Sequence, residues 1–298
     1  MISDINNTKY FFENTCPTDE SMLKHGIGIK KILFSEIEQI KINNLSINIK
    51  VEIFDTYAYG KMLVLDDRVQ ASESDEFIYH ELIIHTPMIY HLNPKNILII
   101  GGGDGGSLRE VLKHDIDTVT MVEISKSVIN SCKKHIPSIP NNAFENPKTN
   151  LIIGDGRDFI QKNKNLFDVI ILDLSDPDGP ADGLTSKAFY QQVYESLKEN
   201  GIVSIQSESL TYQEKLVSEM QKNIRSVFPY VKLHTANMPT YQGSIFGFTV
   251  AGKHDFTQIS KSDVKNNLNK LSKLKYLDEE IFFASTVIPK YLKEKIGL

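Results

Sequence analysis

Between Asn96 and Ser207, short apolar runs rich in β-branched residues alternate with helical segments: NILIIG, SLREVLKH, TVTMVE, SKSVINSCKKH, NLIIGD, GRDFIQKN, FDVIILD, SKAFYQQVYESLKENG and IVSIQS. A strand that is apolar at successive positions needs cover on both faces, and strands separated by helices are not hairpins. Both conditions point to a parallel sheet with helices on either side. Two further runs, YVKLHTA and IFGFTVA, bring the expected strands to seven. The Thr211-x-x-Glu214 capping box predicts a helix to about Phe228, with Gly201 closing the helix before it, and YLKEKIG predicts another near the end of the chain.

Upstream the period changes. From Lys41 to Ser72 apolar and polar residues alternate, with turn signals at Tyr59-Gly60 and Asp66-Asp67, as in antiparallel strands. The segment SDEFIYHELIIHTPMIYHL then takes up helical spacing, with Ser72 and Ser74 as capping candidates. These changes divide the chain into a small N-terminal β domain, residues 1–73, and a larger α/β domain, residues 74–298.

A chain of 298 residues with a net charge of −5 and only four arginines, Arg68, Arg109, Arg157 and Arg225, is poorly equipped to neutralise a phosphate backbone, so no nucleic-acid partner is expected. Cys16 and Cys132 are too few for a disulfide framework, which fits a cytoplasmic location. The first residues carry acids and amides where a secretory leader has an apolar run, and no stretch has the length and hydropathy of a membrane span. His80, His85 and His91 lie on or near one helix without metal-ligand spacing, so no metal is expected.

The first α/β unit turns through GGGDGG, Gly101 to Gly106. Gly101, Gly103 and Gly106 satisfy a dinucleotide fingerprint, and Glu123 lies where a ribose-binding acid belongs. Asp104 argues for a different ligand, because a pyrophosphate in this loop would meet a like charge whereas a cation would be attracted. A nucleoside with a sulfonium and an amine, such as S-adenosylmethionine or a relative, fits better, although a dinucleotide stays open if Asp104 points to solvent. Asp155 with Gly156, at the end of the third strand, suits an adenine amino group or a plain helix N-cap. The fourth strand ends in DLSDPDGPAD, with carboxylates at Asp173, Asp176, Asp178 and Asp182. An anionic cluster emerging from a buried strand beside a cationic donor suggests a cationic second substrate, of the polyamine class.

The ordered runs VEIFDT, GKMLVLD, DEFIYHE, GGGDGG, DLSDPDGPAD and NMPTYQG resemble the spermidine synthases, the polyamine aminopropyltransferases, over about residues 10 to 290. The resemblance implies a Rossmann-like, seven-stranded domain of methyltransferase type behind a small antiparallel β domain. It also implies aminopropyl transfer from decarboxylated S-adenosylmethionine, a co-substrate rather than a cofactor, to a diamine such as putrescine or agmatine, in a homodimer or homotetramer. By the same resemblance Asp104 binds the donor amine, Glu123 the ribose and Asp155 the adenine. Gln70 and His80 supply further donor- and substrate-side contacts. Asp173 is the catalytic aspartate with Tyr79 beside the reacting amine, and Asp176, Gln206, Glu208 and Tyr241 line the diamine channel. The chemistry asks for such groups: an alkylamine with a pKa of about 10 is protonated at neutral pH and must lose a proton before it can attack. An ordinary methyltransferase needs no such row of acids. The chain departs from the family pattern at Ile49, where a glutamine commonly reaches the nucleoside, and at Ser125, Arg157, Gln242 and Phe282.

Overall fold

The computed structural model describes residues 2–5, 8–12, 26–42, 45–91, 93–175 and 183–298. The alternating N-terminal segments form one antiparallel sheet whose strands neighbour each other in chain order: β1 (Ile2–Ile5), β2 (Thr8–Phe12), β3 (Gly26–Ile42), β4 (Leu45–Thr56), β5 (Lys61–Leu65) and β6 (Arg68–Ser72). Asp66 and Asp67, at φ of 48° and 63°, make the two-residue turn that pairs Leu65 with Arg68. The sheet begins well before Lys41, because β3 extends back to Gly26. Its inward face, including Ile40, Ile49, Val51 and Ile53, packs on Val128, Cys132 and Ile136 of the α/β layer.

Helix α1 (Glu76–Tyr90) leads to β7 (Asn96–Gly101), α2 (Gly106–Val111), β8 (Thr118–Glu123), α3 (Lys126–His135), β9 (Thr149–Ile153), α4 (Gly156–Lys162) and β10 (Phe167–Asp173). There follow α5 (Lys187–Ser196), β11 (Leu197–Ser209), α6 (Glu214–Arg225), β12 (Tyr230–Met238) and β13 (Ser244–Gly252), then α7 (Lys261–Leu268), α8 (Glu279–Ala284) and α9 (Lys290–Ile296). None of these helices is long and apolar enough to cross a membrane. The seven strands stand in the order β12-β13-β11-β10-β7-β8-β9. Five of them, β11 to β9 in that order, are parallel, whereas β13 is antiparallel to both β11 and β12. The sheet is therefore mixed, not wholly parallel. The short connection from Met238 to Ser244 allows only a hairpin, so β13 runs back between β12 and β11.

Three local expectations are corrected. Ser72 and Ser74 do not cap α1: Asp75 precedes its first turn, and the Ser72 hydroxyl donates to Asp75 at 2.7 Å. Thr211 does not cap α6, because its hydroxyl accepts from the Ile245 N–H at 3.1 Å and Gln213 stands at the cap position. Gly201 lies inside β11, since the preceding helix already ends at Ser196.

Strand order reverses between β7 and β10, where the chain runs outward through β8 and β9 and returns to the other side of β7. At such a switch point the loops beyond the carboxyl ends diverge and leave a crevice for a ligand. The glycine loop follows β7 and Asp173 ends β10, so both open on it.

Candidate active site

Close approach of the two switch-point strands shapes the loop. Gly101 has φ of 82°, and a β-carbon there would lie 2.0 Å from the Asp173 carbonyl oxygen. The next amide, Gly102 N–H, donates to that oxygen at 2.9 Å. Gly106 opens α2 against the His80 ring, and Gly103 lies against the Glu123 carboxylate. This loop brings together side chains that are far apart in sequence.

Asp173 is 9% exposed and carries a hydroxyl on each carboxylate oxygen: Tyr79 donates to Oδ1 at 2.6 Å and Ser107 to Oδ2 at 2.5 Å. Burial, followed by the Asp104 charge, raises its pKa above the ordinary aspartate value. Burial and the Asp173 charge likewise raise the Tyr79 phenol, which keeps it a donor. The Asp104 carboxylate accepts from the Gly106 N–H at 2.6 Å and faces His80 Nε2 at 3.4 Å. The other nitrogen of His80, Nδ1, meets Glu76 at 2.7 Å. Burial favours a neutral ring, yet Asp104 and Glu76 together raise the His80 pKa well above its usual value.

One strand further along, Glu123 accepts from the Ser125 N–H at 2.7 Å. Burial pushes its carboxyl up to about 7, with Asp173 and Asp104 adding to the shift and backbone donors opposing it. Asp155 takes the N-cap geometry weighed above: it accepts from the Arg157 N–H at 2.8 Å and pairs with that guanidinium at 2.8 Å. Gly156 begins α4 against Ile100.

On the other side of Asp173, Gln206 donates to the Leu174 carbonyl at 3.1 Å and to Glu208 at 2.7 Å. Glu208 is buried and held at φ of 61°, a conformation costly for a non-glycine residue and concentrated at functional sites. Tyr241 donates to the Gln70 carbonyl at 2.5 Å, and its ring meets Tyr79 edge to face. Phe246 and Phe248 complete an aromatic wall behind Tyr79. Asp176 and Cys16 lie outside the described residues.

The structure thus gathers Asp104, Glu123, Asp173, Tyr79, His80, Gln206, Glu208, Tyr241 and Gln70 along the carboxyl edge of the sheet, with Asp155 at its β9 end. Sequence reasoning missed Glu76, Ser107 and Arg109. Arg109 grips Glu76 through two nitrogens, at 3.0 and 2.8 Å, and its Nε donates to Glu110 at 2.7 Å. Ser107 directly after the last glycine was a readable signal for a hydroxyl at the loop. The Glu76–Arg109 pair spans 33 positions, and nothing in the local pattern announces it.

Fold and cleft define a Rossmann-like α/β chain with buried carboxylates gathered at the switch-point crevice. Comparison with known proteins narrows the class. The family model for the spermine/spermidine synthase domain matches residues 76–263, and that for the spermidine synthase tetramerisation domain matches residues 48–73. A polyamine aminopropyltransferase of Thermoanaerobacter sp. (strain X514) is 40% identical over 286 residues, covering 96% of this chain and 97% of its own. That of Methanocaldococcus jannaschii is 42% identical over 277 residues, covering 91% and 90%. The crystal structure of a spermidine synthase in complex with the transition state analogue AdoDATO superposes with a TM-score of 0.87 at 33% identity, covering 97% of this chain and 94% of that one. The chain belongs to the spermine/spermidine synthase family, the polyamine aminopropyltransferases.

Proposed function

We propose that this protein transfers the aminopropyl group of decarboxylated S-adenosylmethionine to putrescine, giving spermidine and methylthioadenosine. The observation that carries the reading is the buried Asp173 carboxylate, engaged by Tyr79 and set beside Asp104 at the mouth of the glycine loop. Asp104 receives the donor's ammonium, Glu123 the ribose hydroxyls and Asp155 the adenine amino group. Gln70, whose carbonyl accepts from the Tyr241 hydroxyl, supplies a further donor-side contact.

In the reaction one end of the acceptor gives its proton to Asp173, whose raised pKa suits it to hold that proton. The freed lone pair attacks the methylene next to the sulfonium, forming a C–N bond as the C–S bond breaks and its electron pair returns to sulfur. The sulfonium charge makes methylthioadenosine a competent leaving group, so the scheme calls for no cofactor. Gln206, Glu208 and Tyr241, with Asp176, line the path of the acceptor, and a carboxylate there holds the distal amine charged so that one end reacts. The tetramerisation match supports a homotetramer, which light scattering in solution tests directly.

Incubation with decarboxylated S-adenosylmethionine and, separately, putrescine, agmatine, cadaverine and spermidine decides the reading by mass spectrometry. Methylthioadenosine with spermidine in the putrescine reaction is expected. Turnover with agmatine alone overturns the acceptor, and absence of methylthioadenosine with every amine overturns the reaction.

A further inference from the structure

Asp104, Asp173 and Glu123 lie within electrostatic reach of one another: the first raises the pKa of the other two, and Asp173 adds to the shift on Glu123. Such a group needs a counter-charge when no cationic donor is present. Arg109 is committed to Glu76, with both terminal nitrogens on that carboxylate and Nε on Glu110. Glu110 in turn is held by His85 at 2.9 Å and Lys113 at 2.6 Å, which fixes the guanidinium from behind. Among the described residues, the basic side chain that meets the cluster is the His80 ring, through Asp104.

That ring is 2% exposed and has no freedom to turn away. Nδ1 meets Glu76 from its own helix, Nε2 faces Asp104 from the glycine loop, Asp173 lies within reach from β10, and the Tyr79 ring abuts it at a centroid separation of 5.3 Å. Gly106 closes the side toward α2, where Arg109 completes the surroundings through Glu76.

We propose that Glu76 and Arg109 are positioning residues that hold His80 as an imidazolium against Asp104, so that His80 stands in for the donor's ammonium in the empty site and gives up its proton when that ammonium arrives. The proton leaves Nε2 for solvent, Nδ1–H stays donated to Glu76, and the freed Nε2 lone pair accepts from the incoming ammonium. Two positive charges facing Asp104 become one, and donor binding releases a proton. The raised pKa of the free imidazole agrees with the geometry. The inference rests on the reading that Asp104 receives the donor amine.

The test is calorimetric titration of the whole protein at pH 7 in two buffers of different ionisation enthalpy, with decarboxylated S-adenosylmethionine and with methylthioadenosine. Glu123, whose carboxyl is pushed up to about 7, meets the ribose of both ligands, so the difference between them reports the aminopropyl ammonium together with the sulfonium, and the Glu76→Gln variant assigns the His80 share of it. The amine-bearing ligand is expected to release roughly one proton more than methylthioadenosine. In Glu76→Gln, where the ring loses its anionic partner, that excess is expected to fall to less than half, whereas a merely structural role for Glu76 would leave it unchanged.

Donor binding without excess proton release overturns this inference and leaves aminopropyl transfer intact. Failure to bind the donor at all, with methylthioadenosine bound, overturns both. If Glu76→Gln does not fold, nitrogen-15 spectra of histidine-labelled wild type decide: the His80 ring, assigned through His80→Gln, should be doubly protonated in the free protein and singly protonated at donor saturation. An unchanged protonation state overturns the proposal.

Discussion

Asp173 and Glu123 are both buried carboxyls with raised pKa values, yet their partners suit them to different work. Asp173 receives two side-chain hydroxyls that can follow a proton, whereas Glu123 is anchored by the Ser125 backbone N–H. Replacing Asp173 by asparagine keeps the shape and removes the base. Under the proposed reaction kcat should fall by roughly 10²–10⁴, the usual share of general-base catalysis, while donor affinity stays nearly unchanged. An equal loss in both, measured by steady-state kinetics and direct donor titration, argues against the base role. For Glu123 the consequence is a stability profile. Its folded pKa, about 7, lies above the ordinary 4.5, so its contribution to folding is complete below about 4.5 and lost as pH rises through 7. Glu123→Gln should therefore gain on the unliganded wild type by roughly 2 kcal/mol between pH 5.5 and pH 8. Urea denaturation at the two pH values measures the gain; a difference independent of pH removes Glu123 as its source.

At the scale of elements, α1 and α2 meet through the contact of Gly106 with His80. A β-carbon at Gly106 would lie 2.2 Å from the imidazole, which Glu76 and Asp104 hold from either side. Alanine is the better helix former by about 1 kcal/mol, but overpacking a rigid neighbour costs about 1–3 kcal/mol, so Gly106→Ala should destabilise on balance. Gly154→Ala, where nothing lies within 4 Å, is the control and should be close to neutral in thermal denaturation. A more stable Gly106→Ala would show that the ring yields.

The same elements show what the sequence made legible. Continuous apolar, β-branched stretches identified β7, β8, β10 and β11 because burial on both faces leaves few polar positions, and Asp104, Glu123 and Asp173 were visible because each stands at or just beyond the end of such a stretch. The cap of α6 was misread because Thr211 spends its hydroxyl on Ile245, a residue of β13, which is a tertiary choice that local pattern does not contain. The antiparallel insertion of β13 was hidden for the same reason: strand identity is local and strand order is not. Glu76 and Arg109 escaped because their pairing depends on how α1 crosses α2.

At the scale of the whole molecule, the two sheets are joined at the N-terminus of α3 by an apolar seam and a polar latch. Across the seam Ile40, Ile49, Val51 and Ile53 pack on Val128, Cys132 and Ile136. The latch comes from β3: Glu38 accepts from the Ser125 hydroxyl at 2.5 Å and the Ser127 N–H at 3.3 Å, and Glu36 accepts from the Ser127 hydroxyl at 2.8 Å. Carboxylates at a helix N-terminus are favoured by the helix dipole as well as by the hydrogen bonds. Ser125 is also the N-cap of α3 and, through its N–H, the anchor of Glu123, so the latch bears on the ribose end of the proposed donor site. Ile49 stands directly opposite Glu38 in the β3–β4 register, which makes this hairpin the wall of the N-terminal sheet nearest that end. Truncating Glu38 to alanine leaves the apolar seam whole and removes hydrogen bonds to a charged acceptor, a loss of roughly 1–3 kcal/mol. Thermal denaturation should register that loss. Because Glu38 bonds Ser125, the anchor of Glu123 at the ribose end of the proposed donor site, and not Asp173, the donor's KM should rise several-fold while kcat changes less. A fall in kcat at unchanged donor KM would separate the latch from donor binding and tie the N-terminal sheet to the acceptor side instead.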